Sequence, residues 1–218
     1  MFLSPFPENI SFVCTDFSVP LIFPLLREEE EFLERLSSAK RKSEFSLGRR
    51  CAHQALAKFK LESEPILRNT DTKEPCWPKD VLGSISHSGK YAAAAVGKVG
   101  DISGIGIDLE CLSRVVDFNI SRHVCVEKEL KWLKSLTPDQ ANLGLRIIFS
   151  AKESIFKCLF PISKTYLYFK DATVTVDEAN TEFTFILSKE CSGITEVGFQ
   201  HSGKFSIVKK MLLTSIYL

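Results

Sequence analysis

One apolar run carries acids where a buried strand tolerates them least. Gly106-Ile107-Asp108-Leu109-Glu110 reads as a strand. Residues two apart on a strand point to one face, so Asp108 and Glu110 share it. An unpaired carboxylate is costly to desolvate. A divalent cation resolves that cost, and so does a strand end already in water or an ion pair with Arg114. About forty residues later comes Phe149-Ser150-Ala151-Lys152-Glu153-Ser154-Ile155-Phe156-Lys157, with an amphipathic helical pattern. Glu153 and Lys157, four apart, share a helix face. They are either site residues or an ordinary surface pair worth about 0.3–0.5 kcal/mol. Three hard carboxylates with little His or Cys nearby suit Mg²⁺ better than Zn²⁺.

At 218 residues the chain is one large domain or two small ones. A net charge of +1 gives no global pull toward nucleic acid or a membrane. The seven cysteines are an odd number with no C-x-x-C pair, which argues against a disulfide framework or structural zinc. They point to a reducing cytoplasm. The first residues lack the basic and apolar regions of a signal peptide. The most apolar segment, 17–26, contains Pro20 and Pro24 and is too short to span a bilayer. Peripheral membrane association stays open.

Helices are expected over 24–38 and from about 45 to 60, with 61–80 as a proline-broken loop. The acidic run Glu28 to Glu31 reads as a solvated face near the helix start. Strands are expected at 83–87 and 91–96 around a Ser88-Gly89-Lys90 turn, and at 105–110. Helices near 126–136 and 138–160 follow, then strands near 172–177, 182–188, 194–200 and 205–210. Two short echoes suggest related α/β halves with a ligand cleft between them. His87-Ser88-Gly89-Lys90-Tyr91 returns as His201-Ser202-Gly203-Lys204-Phe205, and Phe45-Ser46 returns as Phe149-Ser150, each of the latter pair read as opening a helix.

Basic groups gather at Lys40-Arg41-Lys42 and Arg49-Arg50. Arg49 follows Gly48 at an expected helix start, where a guanidinium and free amides hold a phosphate well. A solvated basic face is the alternative. His87, with Ser86 and the turn amides, is a second phosphate contact or else a hydrogen-bonded structural histidine. Lys152 reads as a surface or phosphate-steering charge, and Trp132 and Leu133 as core of their helix ahead of a docking anchor. No glycine-rich P-loop, dinucleotide fingerprint or nucleophile elbow is present.

The ordered set resembles the 4′-phosphopantetheinyl transferase superfamily of the surfactin and enterobactin type. The likeness is carried by Gly48-Arg49, Pro75-Cys76-Trp77-Pro78, Gly83-Ser84-Ile85-Ser86-His87-Ser88, Gly106 to Glu110 and Phe149 to Lys157. The wording of Trp77-Pro78 and Ser150-Ala151-Lys152-Glu153-Ser154 is most similar to the enterobactin branch, which serves siderophore synthesis. The resemblance implies a pseudo-dimeric α/β (α+β) monomer with the active site in the cleft between halves 1–103 and 104–218. It implies Mg²⁺ on Asp108, Glu110 and Glu153. It implies coenzyme A held by Arg41, Lys42, Arg49, Lys73, Ser86, His87 and Lys157, with Arg68 a further candidate. Glu153 and Lys157 take catalytic roles. The implied partner is an apo acyl, peptidyl or aryl carrier protein, docking near 111–135. Two other readings use the same acids: a magnesium-dependent nucleotide diphosphate hydrolase, and a carrier-binding module without turnover.

Overall fold

The computed structural model describes residues 2–218. Strand β1 (Ser11–Asp16) leads into helices α1 (Arg27–Glu34) and α2 (Ala39–Leu56). A short ribbon, β2 (Leu67–Arg68) and β3 (Pro75–Cys76), precedes the hairpin β4 (Val81–Ser88) and β5 (Tyr91–Lys98). The second half runs β6 (Ile105–Cys111), α3 (Ser121–Val124), α4 (Glu127–Lys134) and α5 (Pro138–Ser163). It continues with β7 (Ala172–Asp177), β8 (Glu182–Leu187), β9 (Gln200–Val208) and β10 (Met211–Tyr217). The α/β class is as expected.

The sheets are ordered β1-β5-β4 and β6-β10-β9-β8-β7. In both, the opening strand pairs antiparallel with the second arm of the closing hairpin. The halves differ in their middle pair: β7 and β8 extend the second sheet, whereas β2 and β3 form a separate ribbon.

Each long helix covers its own sheet. Helix α2 buries Leu47, Cys51, Ala52, Ala55 and Leu56, and α5 buries Leu145, Ile148, Ala151, Ile155 and Leu159. Both sets follow the three-and-four spacing of an apolar stripe. Pro138 at the first turn of α5 sits where its missing N–H is harmless. Behind the sheets a shared core takes Phe2, Ile10, Ala93 and Ala95 from the first half and Ile107, Leu109 and Leu213 from the second.

The halves meet along β4 and β6 through side chains. Ser84, Ser86 and Ser88 accept hydrogen bonds from the amides of Ile107, Leu109 and Cys111 at 3.1, 3.0 and 3.0 Å. Alternate residues share a face, so three serines in this spacing present three hydroxyls to one neighbour. The constant separation of 23 residues means that the two strands run in the same direction. Helix α5 crosses this seam closely: a Cβ on Gly106 would lie 1.9 Å from the Ser154 carbonyl oxygen. That contact brings Glu153 and Lys157 over β6.

Several boundaries differ from the sequence reading, which contains no strand at β1. The last hairpin is β9 and β10, with its turn at Lys209-Lys210, instead of strands at 194–200 and 205–210. Strand β10 is buried at six of its seven positions, so it lacks the alternation that marks a half-buried strand. The echoes also fail in place. His87 to Lys90 ends β4 and makes a turn, but His201 to Phe205 lies inside β9. Phe45 and Phe149 lie inside α2 and α5, well past their first turns. Helix α1 is confined to Arg27–Glu34, and Glu29 of its acidic run is buried instead of solvated.

Candidate active site

Helix α5 and strand β6 build an acidic wall. Asp108 is 5% exposed. Its Oδ1 accepts from Ser86 Oγ at 3.0 Å and from Lys157 Nζ at 2.6 Å, and its Oδ2 accepts from Ser150 Oγ at 2.9 Å. Lys157 also donates to Ser86 at 3.2 Å. Of the two readings of Glu153 and Lys157, the surface pair gives way: Lys157 is instead ion-paired to Asp108 across two elements. Burial pushes the Glu153 carboxyl above its usual range; Lys157 opposes that shift and the Asp108 charge adds to it. Burial likewise raises Glu110, reinforced by Asp108 and opposed chiefly by Arg146.

Arg146, which sequence reasoning passed over, lies 3.7 Å from Glu110. It donates to the carbonyls of Cys111, Leu112 and Arg114 at 2.5, 3.1 and 2.8 Å, which fixes the loop leaving β6. A lone arginine within the apolar run Leu145-Arg146-Ile147-Ile148 was the available signal.

Asp108, Glu110, Glu153, Lys157, Ser86 and His87 line one pocket of about 320 Å³. Among the described residues, no three His, Cys, Asp or Glu side chains are gathered closely enough to hold a metal ion. The three acids thus share a wall without forming a tight cluster. The donor set is still of the kind a hard divalent cation takes, because three carboxylates line one pocket.

A basic wall adjoins it. Arg41, Arg49, Arg68, Lys73 and His87 line a second cleft of about 410 Å³, with Phe45, Gly48 and Ile85. Ile85 and His87 line both spaces, so the two adjoin at these side chains. Arg49 sits mid-helix in α2, with no free amides beside it, which corrects the expected helix-start site. Its guanidinium lies 4.8 Å from the Phe45 ring centre and donates from Nη2 to the Leu67 carbonyl at 3.2 Å. Its buried Nε has no protein partner. Burial brings its pKa down to about 10, with Glu29 opposing and Arg68 adding to the shift.

Arg68 donates to the Lys73 carbonyl at 3.1 Å, tying the ribbon's two arms. Gly48 lets α2 approach β4, since a Cβ there would lie 3.0 Å from Ile85 Cγ2. His87 Nδ1 is 3.7 Å from Glu44, and burial lowers its pKa against the pull of that carboxylate.

Three expected roles fall elsewhere. Lys42 does not line either space; one residue beyond Arg41 it is turned about 100° around α2. Lys152 is buried and bonds Glu129 at 2.7 Å and the Val124 carbonyl at 2.9 Å, so it is a structural charge. Trp132 and Leu133 keep the core role read from the sequence: Leu133 is buried and Trp132 packs on Gly144. The turn residues Gly89 and Lys90 line neither space.

Comparison with known proteins identifies the family. The family model described as the 4′-phosphopantetheinyl transferase N-terminal domain matches residues 28–97, and that of the 4′-phosphopantetheinyl transferase superfamily matches residues 104–202. The 4′-phosphopantetheinyl transferase PptT of Mycobacterium tuberculosis is 33% identical over 198 residues, 88% of this chain and 86% of the relative. Svp of Streptomyces mobaraensis, also named a 4′-phosphopantetheinyl transferase, is 34% identical over 78% of this chain and 67% of its own length. Enterobactin synthase component D of Salmonella typhimurium is 35% identical over 65% of this chain and 58% of its own length. A solved holo-[acyl-carrier-protein] synthase of Thermotoga maritima aligns with a TM-score of 0.41 at 17% identity, over 54% of this chain and 63% of that one, too distant to carry any step here. By its two domain matches and its relatives, the chain belongs to the 4′-phosphopantetheinyl transferase superfamily.

Proposed function

We propose that the protein transfers the 4′-phosphopantetheine group of coenzyme A to a serine hydroxyl of an apo carrier protein, releasing adenosine 3′,5′-bisphosphate. The carrying observation is that a basic cleft and an acidic pocket adjoin at Ile85 and His87. A diphosphate needs cationic grip on one side and charge stabilisation where it breaks on the other. In this reading residues 1–103 supply the grip, through Arg41, Arg49, Arg68, Lys73 and His87. Residues 104–218 supply Asp108, Glu110 and Glu153, which would hold Mg²⁺. The metal, when bound, supplies Lewis-acid stabilisation of the phosphoryl oxygens.

The protein's own groups do the rest. The unpartnered Nε of Arg49 keeps a donor for a phosphate oxygen. Lys157 moves its ammonium from Asp108 to the charge developing at the broken bond. Burial raises the Glu153 carboxyl above its usual range, which suits it to take the serine proton. Enterobactin synthase component D among the relatives supports a role in siderophore or other secondary-metabolite synthesis. Seven free thiols support a cytoplasmic location, and no helix among the described residues is long and apolar enough to cross a membrane. The protein would act as a monomer whose two halves frame one site.

Mass spectrometry of apo acyl, peptidyl and aryl carriers, after incubation with coenzyme A and Mg²⁺, tests the reading. The expected result is one phosphopantetheine added at serine. Bisphosphate release without any carrier would point to hydrolysis instead.

A further inference from the structure

Asp108 Oδ2 has one protein donor, Ser150 Oγ, and that hydroxyl has one proton to give. A second oxygen competes for it. Thr214 Oγ1 lies 2.9 Å from Ser150 Oγ and 2.8 Å from the Ser150 carbonyl, to which it is a donor. Thr214 is directly opposite Asp108 in the pairing of β10 with β6, and both Ser150 and Thr214 are 0% exposed. Neither hydroxyl is open to solvent, so the acceptor of the Ser150 proton is chosen among these three residues. An ionised carboxylate is the strongest acceptor in the group. The consistent arrangement sends the Ser150 proton to Asp108, while the one Thr214 proton, given to the Ser150 carbonyl, is shared as a three-centre bond with Ser150 Oγ.

We propose that Thr214 is a positioning residue for the proposed transferase reaction. Through Ser150 it fixes the plane of the Asp108 carboxylate, so that Asp108 meets the cation in one orientation. The inference rests on reading Asp108 as a metal ligand. Thr214 lies outside both segments matched by the family models, 28–97 and 104–202. Its branched Cβ limits the side chain to few rotamers, which suits a fixed support.

The test is Mn²⁺ binding, followed by electron paramagnetic resonance on the full chain with coenzyme A present and carrier absent. Partners of metal ligands are commonly worth at least tenfold in metal affinity, so Thr214→Val and Ser150→Ala should each weaken Mn²⁺ binding about tenfold. Thr214→Ser, which keeps the hydroxyl, should bind as the wild type does. The double variant should bind no worse than Ser150→Ala, because residues acting through one another are non-additive. In carrier loading, kcat should fall with the coenzyme A KM unchanged.

Circular dichroism establishes that each variant is folded, and Thr214→Ala, which removes the hydroxyl without adding bulk, carries the test if Thr214→Val is not. Thr214→Val with wild-type Mn²⁺ affinity and only a lower melting temperature would overturn the proposal, as would additive losses in the double variant. Asp108→Ala separates the two layers. If it too binds Mn²⁺ like the wild type, the metal reading falls together with the relay. If it loses binding while Thr214→Val does not, the relay alone falls.

Discussion

Glu29 in the first half and Glu129 in the second occupy the same place with different partners. Each is the third residue of a short helix and turns back to accept the amide at its start, Leu26 at 3.1 Å and Val126 at 2.7 Å. Each accepts a second amide from further along the chain, Ile66 at 3.0 Å and Val174 at 2.6 Å. Each meets a base on its long helix, His53 Nε2 at 2.8 Å and Lys152 Nζ at 2.7 Å. The halves diverge in the strands attached to that second amide. Val174 belongs to β7, inside the five-stranded sheet, whereas Ile66 leads into the separate ribbon β2–β3. Freed from its sheet, that ribbon carries Arg68 and Lys73 into the cleft and offers the Leu67 carbonyl to Arg49. The second half keeps its pair in the sheet and places its chemistry on β6 and α5. In the proposed reading, one scaffold grips on one side and reacts on the other.

That division of labour has a kinetic signature. Asp108→Ala or Glu153→Ala should lower kcat for carrier loading by about a thousandfold, in the range of lost transition-state stabilisers. Arg49→Ala should instead raise the coenzyme A KM roughly tenfold, as expected for one charged hydrogen bond, with a smaller change in kcat. Steady-state kinetics with coenzyme A varied against saturating carrier reads both. Equal effects on kcat from Arg49→Ala and Asp108→Ala would break the comparison.

Lys152→Met tests the second half's anchor. It strands the Glu129 carboxylate in the core with two amides and no cation. Breaking a buried pair by removing one partner typically costs about 3–5 kcal/mol. Urea unfolding should show a loss of that size with an unchanged m-value. A loss below about 1 kcal/mol would class the pair with surface bridges.

Gly203→Ala has the next largest expected effect, and its site shows how far wording alone can mislead. Gly89 and Gly203 stand in identical tetrapeptides, His-Ser-Gly-Lys. Gly89 has φ +62° in the β4–β5 turn. Gly203 lies within β9, where a Cβ would fall 2.3 Å from Phe183 Cζ and 2.6 Å from the Ser215 carbonyl. Overpacking against backbone should cost about 3 kcal/mol, against about 1 for Ala in the left-handed turn. Thermal melts of both variants check the order. The tetrapeptides carry no register information, so their match suggested a repeat at the wrong offset. The real repeat, Glu29 with Glu129 and Ser38 with Thr137 as caps, is invisible as wording because its members differ or sit in common acidic runs. The acids of β6 and α5 were legible, since their spacing alone placed each pair on one face. Arg146, Ser150 as a ligand of Asp108, and Thr214 were not, because each acts on an element at least thirty residues away.

A smaller effect than that of Gly203→Ala belongs to the first half's anchor, and it depends on pH. Burial works to raise the Glu29 pKa, but the hydrogen bonds from His53, Ile66 and Leu26 outweigh it and leave the carboxyl below its ordinary 4.5. A carboxylate depressed in the folded state adds stability that is fully present above its unfolded pKa and disappears as pH falls through the folded one. Glu29→Gln removes the charge and leaves one of the buried donors without an acceptor. At neutral pH it should cost about 2 kcal/mol, as for a hydrogen-bonded charged group. The gap between wild type and variant should then narrow as the pH drops below 4.5. Urea midpoints measured in parallel at neutral pH and near pH 3 give that gap directly, since every other titrating group is common to both proteins. A gap that stays constant with pH would mean that shape, not charge, holds Ile66 to α1, and the likeness to Glu129 would be one of geometry alone.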